Sequence, residues 1–209
     1  MSVAAEHDVV AGPVVGVVIA GGRSVRFGGE KAVAELAGRA LLMWAVHRLQ
    51  GSCAAVAVNA RPGTEAESLA RAEGLSVLHD APGDAAGPLA GVKAGLAWAR
   101  ERGARALAVS PCDAPLLPDD LYTRLIAAAG TGAAMAETLE GRQPLCAVWP
   151  VSALPRVTEA LLGGAHPPTW SVLEGIGAVR VRFASSDAFA NLNTRADLET
   201  LAARFARRG

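Results

Sequence analysis

Val17-Val18-Ile19-Ala20-Gly21-Gly22-Arg23-Ser24-Val25-Arg26-Phe27-Gly28-Gly29-Glu30-Lys31 is the stretch on which the reading of this chain turns. An apolar run enters a loop that holds four glycines, two arginines and a lysine. Glycine lets backbone N–H groups approach anionic oxygens closely and permits positive φ, while the cationic side chains neutralise charge, so the loop suits a polyphosphate. Only two of the 20 basic residues are lysines, Lys31 and Lys93. Their scarcity suggests that the loop wants a compact, flexible ammonium rather than a planar guanidinium. Neither common phosphate motif fits. A P-loop needs Gly-Lys-Ser/Thr, but here Glu30 precedes Lys31 and Ala32 follows it. A dinucleotide fingerprint needs Gly-x-Gly-x-x-Gly, whereas here adjacent glycines are followed by five other residues before Gly28-Gly29.

Outward from this stretch, short apolar runs alternate with helical patterns. Strands are expected at Val14–Ile19, Ala54–Val58, Ser76–Leu78, Ala106–Val109, Ala133–Ala136, Leu145–Val148 and Val179–Phe183. Helices are expected at Ala40–Leu49, Glu65–Glu73, Leu89–Arg102, Asp119–Ala129, Ser152–Leu162 and Arg195–Ala206. Pro118 ahead of the fourth helix and Gly103 behind the third are sensible punctuation. Near-continuous apolar strands separated by helices predict an α/β protein with a mostly parallel central sheet flanked by helices on both faces. No repeat or composition break divides the chain. A flexible tail is expected over 1–13 and one domain over 14–209.

Of the 209 residues, 51% are hydrophobic and 19% charged, which predicts a packed core. The formal net charge of zero argues against a nucleic-acid partner, since such binders normally carry a basic excess. No apolar run approaches the roughly 20 residues that span a bilayer, and the first thirteen residues lack signal-peptide character. The three cysteines, Cys53, Cys112 and Cys146, are odd in number and lack metal-ligand spacing, so they read as reduced small hydrophobes of a cytoplasmic protein.

In a parallel sheet, ligands bind outside the carboxyl ends of the strands. That edge collects Ala20 to Lys31, Asn59, Asp80 and Pro111-Cys112-Asp113-Ala114-Pro115. Asp113, stiffened by the flanking prolines, is placed to hold Mg²⁺ against phosphate oxygens. A helix-capping role suits it less, because Asp119 and Asp120 lie nearer the next helix. Gly87-Pro88-Leu89-Ala90-Gly91 opens a helix whose unpaired N–H groups can face a ligand. It is equally readable as a turn with Pro at the first helical position. Asn59 and Asp80 are ordinary strand-end residues, or else readers of a base and ribose. In Phe189-Ala190-Asn191-Leu192-Asn193-Thr194, Thr194 and Asp197 make an acidic variant of a capping box. The two asparagines have no such local explanation. No nucleophile–base pair is evident.

Together these residues resemble the nucleotidyltransferase family related to sugar-nucleotide pyrophosphorylases, whose signature is a strand, Leu-Ala-Gly-Gly-x-Ser-x-Arg-Met-Gly and then Lys. Here that reads Ile19 to Gly28, then Lys31. Within the family the chain is most similar to the molybdenum cofactor guanylyltransferases, through Gly87–Gly91, Pro111–Pro115, Gln143-Pro144-Leu145 and Phe189–Thr194 in the expected order. The resemblance covers about Val15 to Leu198. It implies a three-layer Rossmann-like fold and a Mg²⁺-dependent transfer of GMP from GTP to molybdopterin, or its molybdenum form, with release of pyrophosphate.

Carried over by position, Ile19, Ala20, Gly21 and Gly22 line guanine and ribose, and Arg26 and Lys31 contact the triphosphate. Asn59 and Asp80 contact guanosine, Gly87 to Gly91 flank the nucleotide, and Asp113 binds GTP and Mg²⁺. Asn191 and Asn193 lie on the molybdopterin side. The resemblance also implies transient contacts with cofactor-biosynthesis or molybdoenzyme-maturation proteins.

Three departures stand out. Phe27 replaces the usual Met, the Gly28–Lys31 spacing is one residue shorter than in many relatives, and Gly163–Thr169 carries only His166 where relatives often have basic residues. The alternatives are cytidylyl transfer to the same cofactor, transfer to a sugar or alcohol phosphate, and nucleotide binding without catalysis. The base-facing Asn59 and Asp80 would discriminate the first two, and the presence of Lys31 and Asp113 argues against the last.

Overall fold

The computed structural model describes residues 12–22, 27–84 and 87–206. Its central sheet has seven strands: β1 (Val14–Ile19), β4 (Val56–Asn59), β5 (Ser76–Leu78), β6 (Ala106–Pro111), β7 (Ala134–Thr138), β8 (Gly141–Pro150) and β9 (Val179–Arg182). A separate two-stranded hairpin consists of β2 (Glu35–Leu36) and β3 (Arg39–Ala40). The helices are α1 (Leu41–Gln50), α2 (Glu65–Ala72), α3 (Pro88–Glu101), α4 (Leu121–Ala129), α5 (Leu154–Ala160), α6 (Thr169–Gly175) and α7 (Arg195–Ala206). No helix among the described residues is long and apolar enough to cross a membrane.

The strand order is β5-β4-β1-β6-β8-β7-β9. β1 runs parallel to both β4 and β6, with Ile19 level with Asn59 on one side and Pro111 on the other. Both faces of this centre are covered, which is why β1 and β6 are apolar almost throughout. α1, α2 and α4 pack one face around Leu42, Val46, Leu49, Leu121 and Leu125. α3, α5 and α6 pack the other around Leu89, Leu96, Leu107, Trp149 and Leu173. A smaller cluster of Leu36, Leu41, Leu192 and Leu201 seats α7 on the hairpin. The three-layer, mostly parallel arrangement expected from the sequence is the one observed.

Local chemistry sets several boundaries. α2 starts at Thr64, whose hydroxyl accepts from the Glu67 N–H at 3.4 Å. α3 has Pro88 in its first turn and stops ahead of Gly103, whose φ of +64° ends it in the left-handed region. α7 carries the reciprocal box: Asp197 N–H donates to Thr194 Oγ1 at 3.1 Å, while the Asp197 carboxylate accepts from Thr194 N–H at 2.8 Å.

Three features differ from the sequence reading. β8 is longer than expected and runs antiparallel to both β6 and β7, because β7 and β8 form a tight hairpin that needs no crossover. The β2–β3 hairpin has two-residue strands, too short to show a period. α6 grows from Thr169, directly beyond the Pro167-Pro168 pair that reads as a loop; it is only 7 residues long and buries just Thr169, Val172 and Leu173.

Candidate active site

Ahead of β4 the chain leaves β1 for one side of the sheet, and after β5 it returns to the other to form β6. The carboxyl ends of β1 and β6 therefore flank the point where a doubly wound sheet opens a crevice. A cavity of about 620 Å³ lies there. Its walls are Ile19 to Gly22 beyond β1, Glu30 to Ala32, Asn59 and Arg61 from the β4 end, and Asp80 beyond β5. They continue through Gly87 and Pro88 at the start of α3, Pro111 to Asp113 beyond β6, Leu145 of β8, and Asn193 ahead of α7.

At one end sits an ion pair between residues 82 apart: Lys31 Nζ lies 2.6 Å from Asp113 Oδ2. The same ammonium donates to Asn193 Oδ1 at 3.4 Å. The two charged side chains are 12% and 19% exposed, which leaves them open to the cavity but not to bulk water on all sides. Backbone contacts fix the geometry. Leu192 N–H donates to the Asp113 carbonyl at 2.8 Å, which ties the Asn191–Thr194 segment to the turn after β6. Beneath that turn, the buried Tyr122 hydroxyl donates to the Val109 carbonyl at 3.0 Å and anchors α4 to β6.

At the other end, Asn59 is only 3% exposed. Its amide donates to Asp80 Oδ1 at 2.9 Å and to the Leu78 carbonyl at 3.4 Å. The Ala20 N–H donates to the Asn59 carbonyl at 2.8 Å, so the loop after β1 leaves the sheet at a fixed point. This end presents amide and carboxylate groups, the pattern that reads donor-rich base edges and ribose hydroxyls.

Glu30 is unexpected beside Lys31, because a carboxylate there would oppose the binding of any anion. Its oxygens are turned away to α2, where Oε2 accepts from Glu65 N–H at 2.7 Å and Oε1 from Ala66 N–H at 3.0 Å. Cys112 lines the cavity but is chemically quiet, because burial pushes its thiol up to about 12.

Most residues expected from the sequence converge here: Ile19, Ala20, Gly21, Gly22, Lys31, Asn59, Asp80, Gly87, Asp113 and Asn193 all line the one cavity. Gly91 lies beneath it. A Cβ on Gly91 would stand 2.9 Å from both Asn59 Cγ and Ile19 Cδ1, so this glycine is needed for helix-to-strand packing under the site. Gly87 has extended backbone, and the space for its side chain is taken by the His166 ring. Asn191 is exposed and stands outside the lining. Arg26 lies outside the described residues.

Sequence reasoning gave no role to Glu30, Ala32 or Arg61, and reached Leu145 only as part of the Gln143-Pro144-Leu145 motif. The strand-edge rule that selected Asn59 extends naturally to Arg61, two residues on. Leu145 sits where the β7–β8 register shifts, and irregular pairing of this kind re-aims side chains beside a site. Nothing local distinguishes Glu30.

A doubly wound sheet with a glycine loop, a lysine and a carboxylate at its switch point defines a nucleotide-dependent group-transfer enzyme, and the comparisons with known proteins agree. The MobA-like NTP transferase domain matches residues 16–178, and the chain belongs to that family of nucleotidyltransferases. It is 41% identical over 187 residues to the molybdenum cofactor guanylyltransferase of Rhodobacter capsulatus, covering 88% of this chain and 93% of that one. With the enzyme of the same name from Cereibacter sphaeroides it shares 38% over 184 residues, covering 88% and 92%. The molybdopterin-guanine dinucleotide biosynthesis protein A of Archaeoglobus fulgidus superposes with a TM-score of 0.74 at 21% identity, over 92% of this chain and 99% of that one. At that identity the likeness speaks to the fold.

Proposed function

We propose that the chain transfers GMP from GTP to the terminal phosphate of molybdopterin, or of its molybdenum form, and releases pyrophosphate. The observation that carries this reading is the Lys31–Asp113 pair at 2.6 Å at one end of a cavity whose other end presents Asn59 and Asp80. The first is a site for triphosphate charge and the second a site for a base and ribose.

In this reading Ile19, Ala20, Gly21 and Gly22 pack against guanine and ribose, with Gly87 and Gly91 flanking the nucleotide, Gly91 from below. Asn59 and Asp80 contact the guanosine, with Asp80 accepting from guanine N–H groups or a ribose hydroxyl. Lys31 and Arg26 hold the triphosphate. An acceptor phosphate oxygen forms the new bond to the α-phosphorus as the α–β bridging bond breaks, and the electron pair leaves on pyrophosphate. The acceptor is already a nucleophile, so no strong general base is required, in keeping with a cavity that holds no histidine–nucleophile pair among its described residues. Lys31 stabilises the charge that develops on the transferring and leaving groups. Asn193 is assigned to the acceptor side, together with the exposed Asn191 just outside the cavity.

The donor set suits Mg²⁺ shared with substrate phosphates rather than a protein cage. Among the described residues no three His, Cys, Asp or Glu side chains cluster to hold a metal, and Asp113 offers one carboxylate. Mg²⁺ keeps most of its waters and commonly binds through one or two carboxylates plus phosphates. Bound by Asp113 and the triphosphate, it would supply charge neutralisation at the α-phosphorus. We place the enzyme in the cytoplasm, with transient contacts to cofactor-handling proteins.

The test is pyrophosphate release from the purified protein with Mg²⁺ and molybdopterin, comparing GTP with CTP, ATP and UTP. Release with GTP alone is expected. A preference for CTP would move the chain to cytidylyl transfer, and no release with any nucleotide despite GTP binding would overturn the catalytic reading.

A further inference from the structure

Why a carboxylate stands one residue before Lys31, inside an anion site, is a question the transfer reaction leaves open. We propose that Glu30 is a positioning residue: it clamps the phosphate-binding turn to the N-terminus of α2 and so sets the distance between the triphosphate and base-reading walls of the cavity. The inference rests on the reading of this cavity as the GTP site.

The geometry is specific. Glu30 begins the short turn Lys31–Val33 and makes no side-chain cap there. Its carboxylate instead reaches a helix 35 residues away and accepts the Glu65 and Ala66 N–H groups at 2.7 and 3.0 Å. These are among the orphan donors that every helix leaves at its start, and a carboxylate there is favoured by the helix dipole as well. The next N–H of the turn, that of Glu67, is taken by Thr64, so α2 has a local cap and a remote one.

Two consequences follow. The helix donors share the carboxylate charge, which weakens the repulsion expected of an acid in the wall of this cavity. The turn carrying Lys31 is also held against the start of α2, which a short segment through Arg61 joins to Asn59 at the end of β4. With the clamp removed, Lys31 keeps its partner Asp113 but loses its fixed offset from Asn59. In the proposed reading a nucleotide spans that offset, while the acceptor meets only the Lys31 end, beside Asn193.

Glu30→Ala and Thr64→Ala separate this role from plain helix capping, since both remove a cap from the same helix and only the first frees the loop. The readouts are the Kd of a fluorescent GTP analogue, the KM values of GTP and molybdopterin, and the Tm of each protein. Glu30→Ala is expected to raise the GTP Kd and KM about tenfold while leaving the molybdopterin KM within about twofold of wild type. Thr64→Ala is expected to lower Tm with unchanged GTP affinity.

Glu30→Gln, which keeps one acceptor oxygen and no charge, should fall between wild type and Glu30→Ala, and it answers the question if the alanine variant does not fold. Equal loss of Tm in the Glu30 and Thr64 variants, with GTP binding as in wild type, would reduce Glu30 to a structural cap and overturn the proposal. An equal rise in both substrate KM values would overturn it too. Wild-type protein that binds no GTP would instead overturn the functional reading, and the positioning role with it.

Discussion

Gly91→Ala should damage the site from beneath, and Gly95→Ala should not, although the two glycines lie one helical turn apart on α3. At Gly91 an added Cβ would stand 2.9 Å from Asn59 Cγ and from Ile19 Cδ1. At Gly95 it would stand 2.8 Å from Leu107 Cδ2 and 3.0 Å from Val17 Cγ1. At Gly95 the neighbours must give by about 0.5 Å to regain ordinary contact, and at Gly91 the Asn59 amide oxygen, which lies nearest the added Cβ, must give by about twice that. Overpacking of this size costs roughly 1–3 kcal/mol. For a chain of this length, that corresponds to a fall in Tm of about 3–10 °C.

The difference lies in what moves. Leu107 and Val17 are core side chains with no polar duties. Asn59 is held by its bond to Asp80 at 2.9 Å, and shifting it forfeits a hydrogen bond worth about 1 kcal/mol and, in the proposed reading, misplaces a base contact. GTP affinity in Gly91→Ala should therefore fall about tenfold, whereas Gly95→Ala should bind GTP as wild type does with the smaller loss of Tm. Calorimetric titration with GTP and a thermal melt of each variant read both quantities. Equal GTP affinities in the two variants would refute the argument that Gly91 supports the base-reading residues.

Other predictions concern the charged end, the thiols and acid stability. Asp113→Asn should abolish Mg²⁺-dependent transfer and leave circular dichroism and Tm near wild type; unchanged turnover would remove the metal role. Cys53 and Cys112, whose thiols burial pushes up to about 12, should resist iodoacetamide in the native protein at about pH 8 and react once it is unfolded. Rapid native labelling would contradict their packing.

Asp197 is held below its ordinary value of 3.8, first by the Asn193 N–H and then by that of Thr194. A depressed carboxylate adds stability that is present above the unfolded value and lost as pH falls through the folded one. Tm should therefore decline as pH drops below about 4, and Asp197→Asn should flatten that part of the curve. A parallel profile in the variant would show that the box contributes nothing.

Much of the fold was legible because it is written in short-range rules. β1, with its six apolar residues, demands burial on both faces, and its period and flanks needed no distant information. Thr194 with Asp197, and Gly103 behind α3, act within one turn of the chain and were readable as caps. The strand-edge rule then gathered Asn59, Asp80 and Asp113 before any contact was known. Where reading failed, the deciding contact was remote. The direction of β8 depends on its hairpin with β7, α6 on a surface provided by β8, and Gly91 on the side chain of Asn59.

Rules acting along the chain were enough to read that strands alternate with helices, that a glycine loop with one lysine follows the first strand, and which residues share the carboxyl edge of the parallel strands. These follow from backbone sterics, hydrophobic period and the chirality of parallel connections, all of which act along the chain. Contacts remote in sequence set the rest: Lys31 meets Asp113 across 82 residues, the Glu30 carboxylate binds the start of α2, and Gly91 serves packing. Such pairings depend on strand order and on which side chains the sheet brings within a few ångströms, and no local interaction energy encodes that distance.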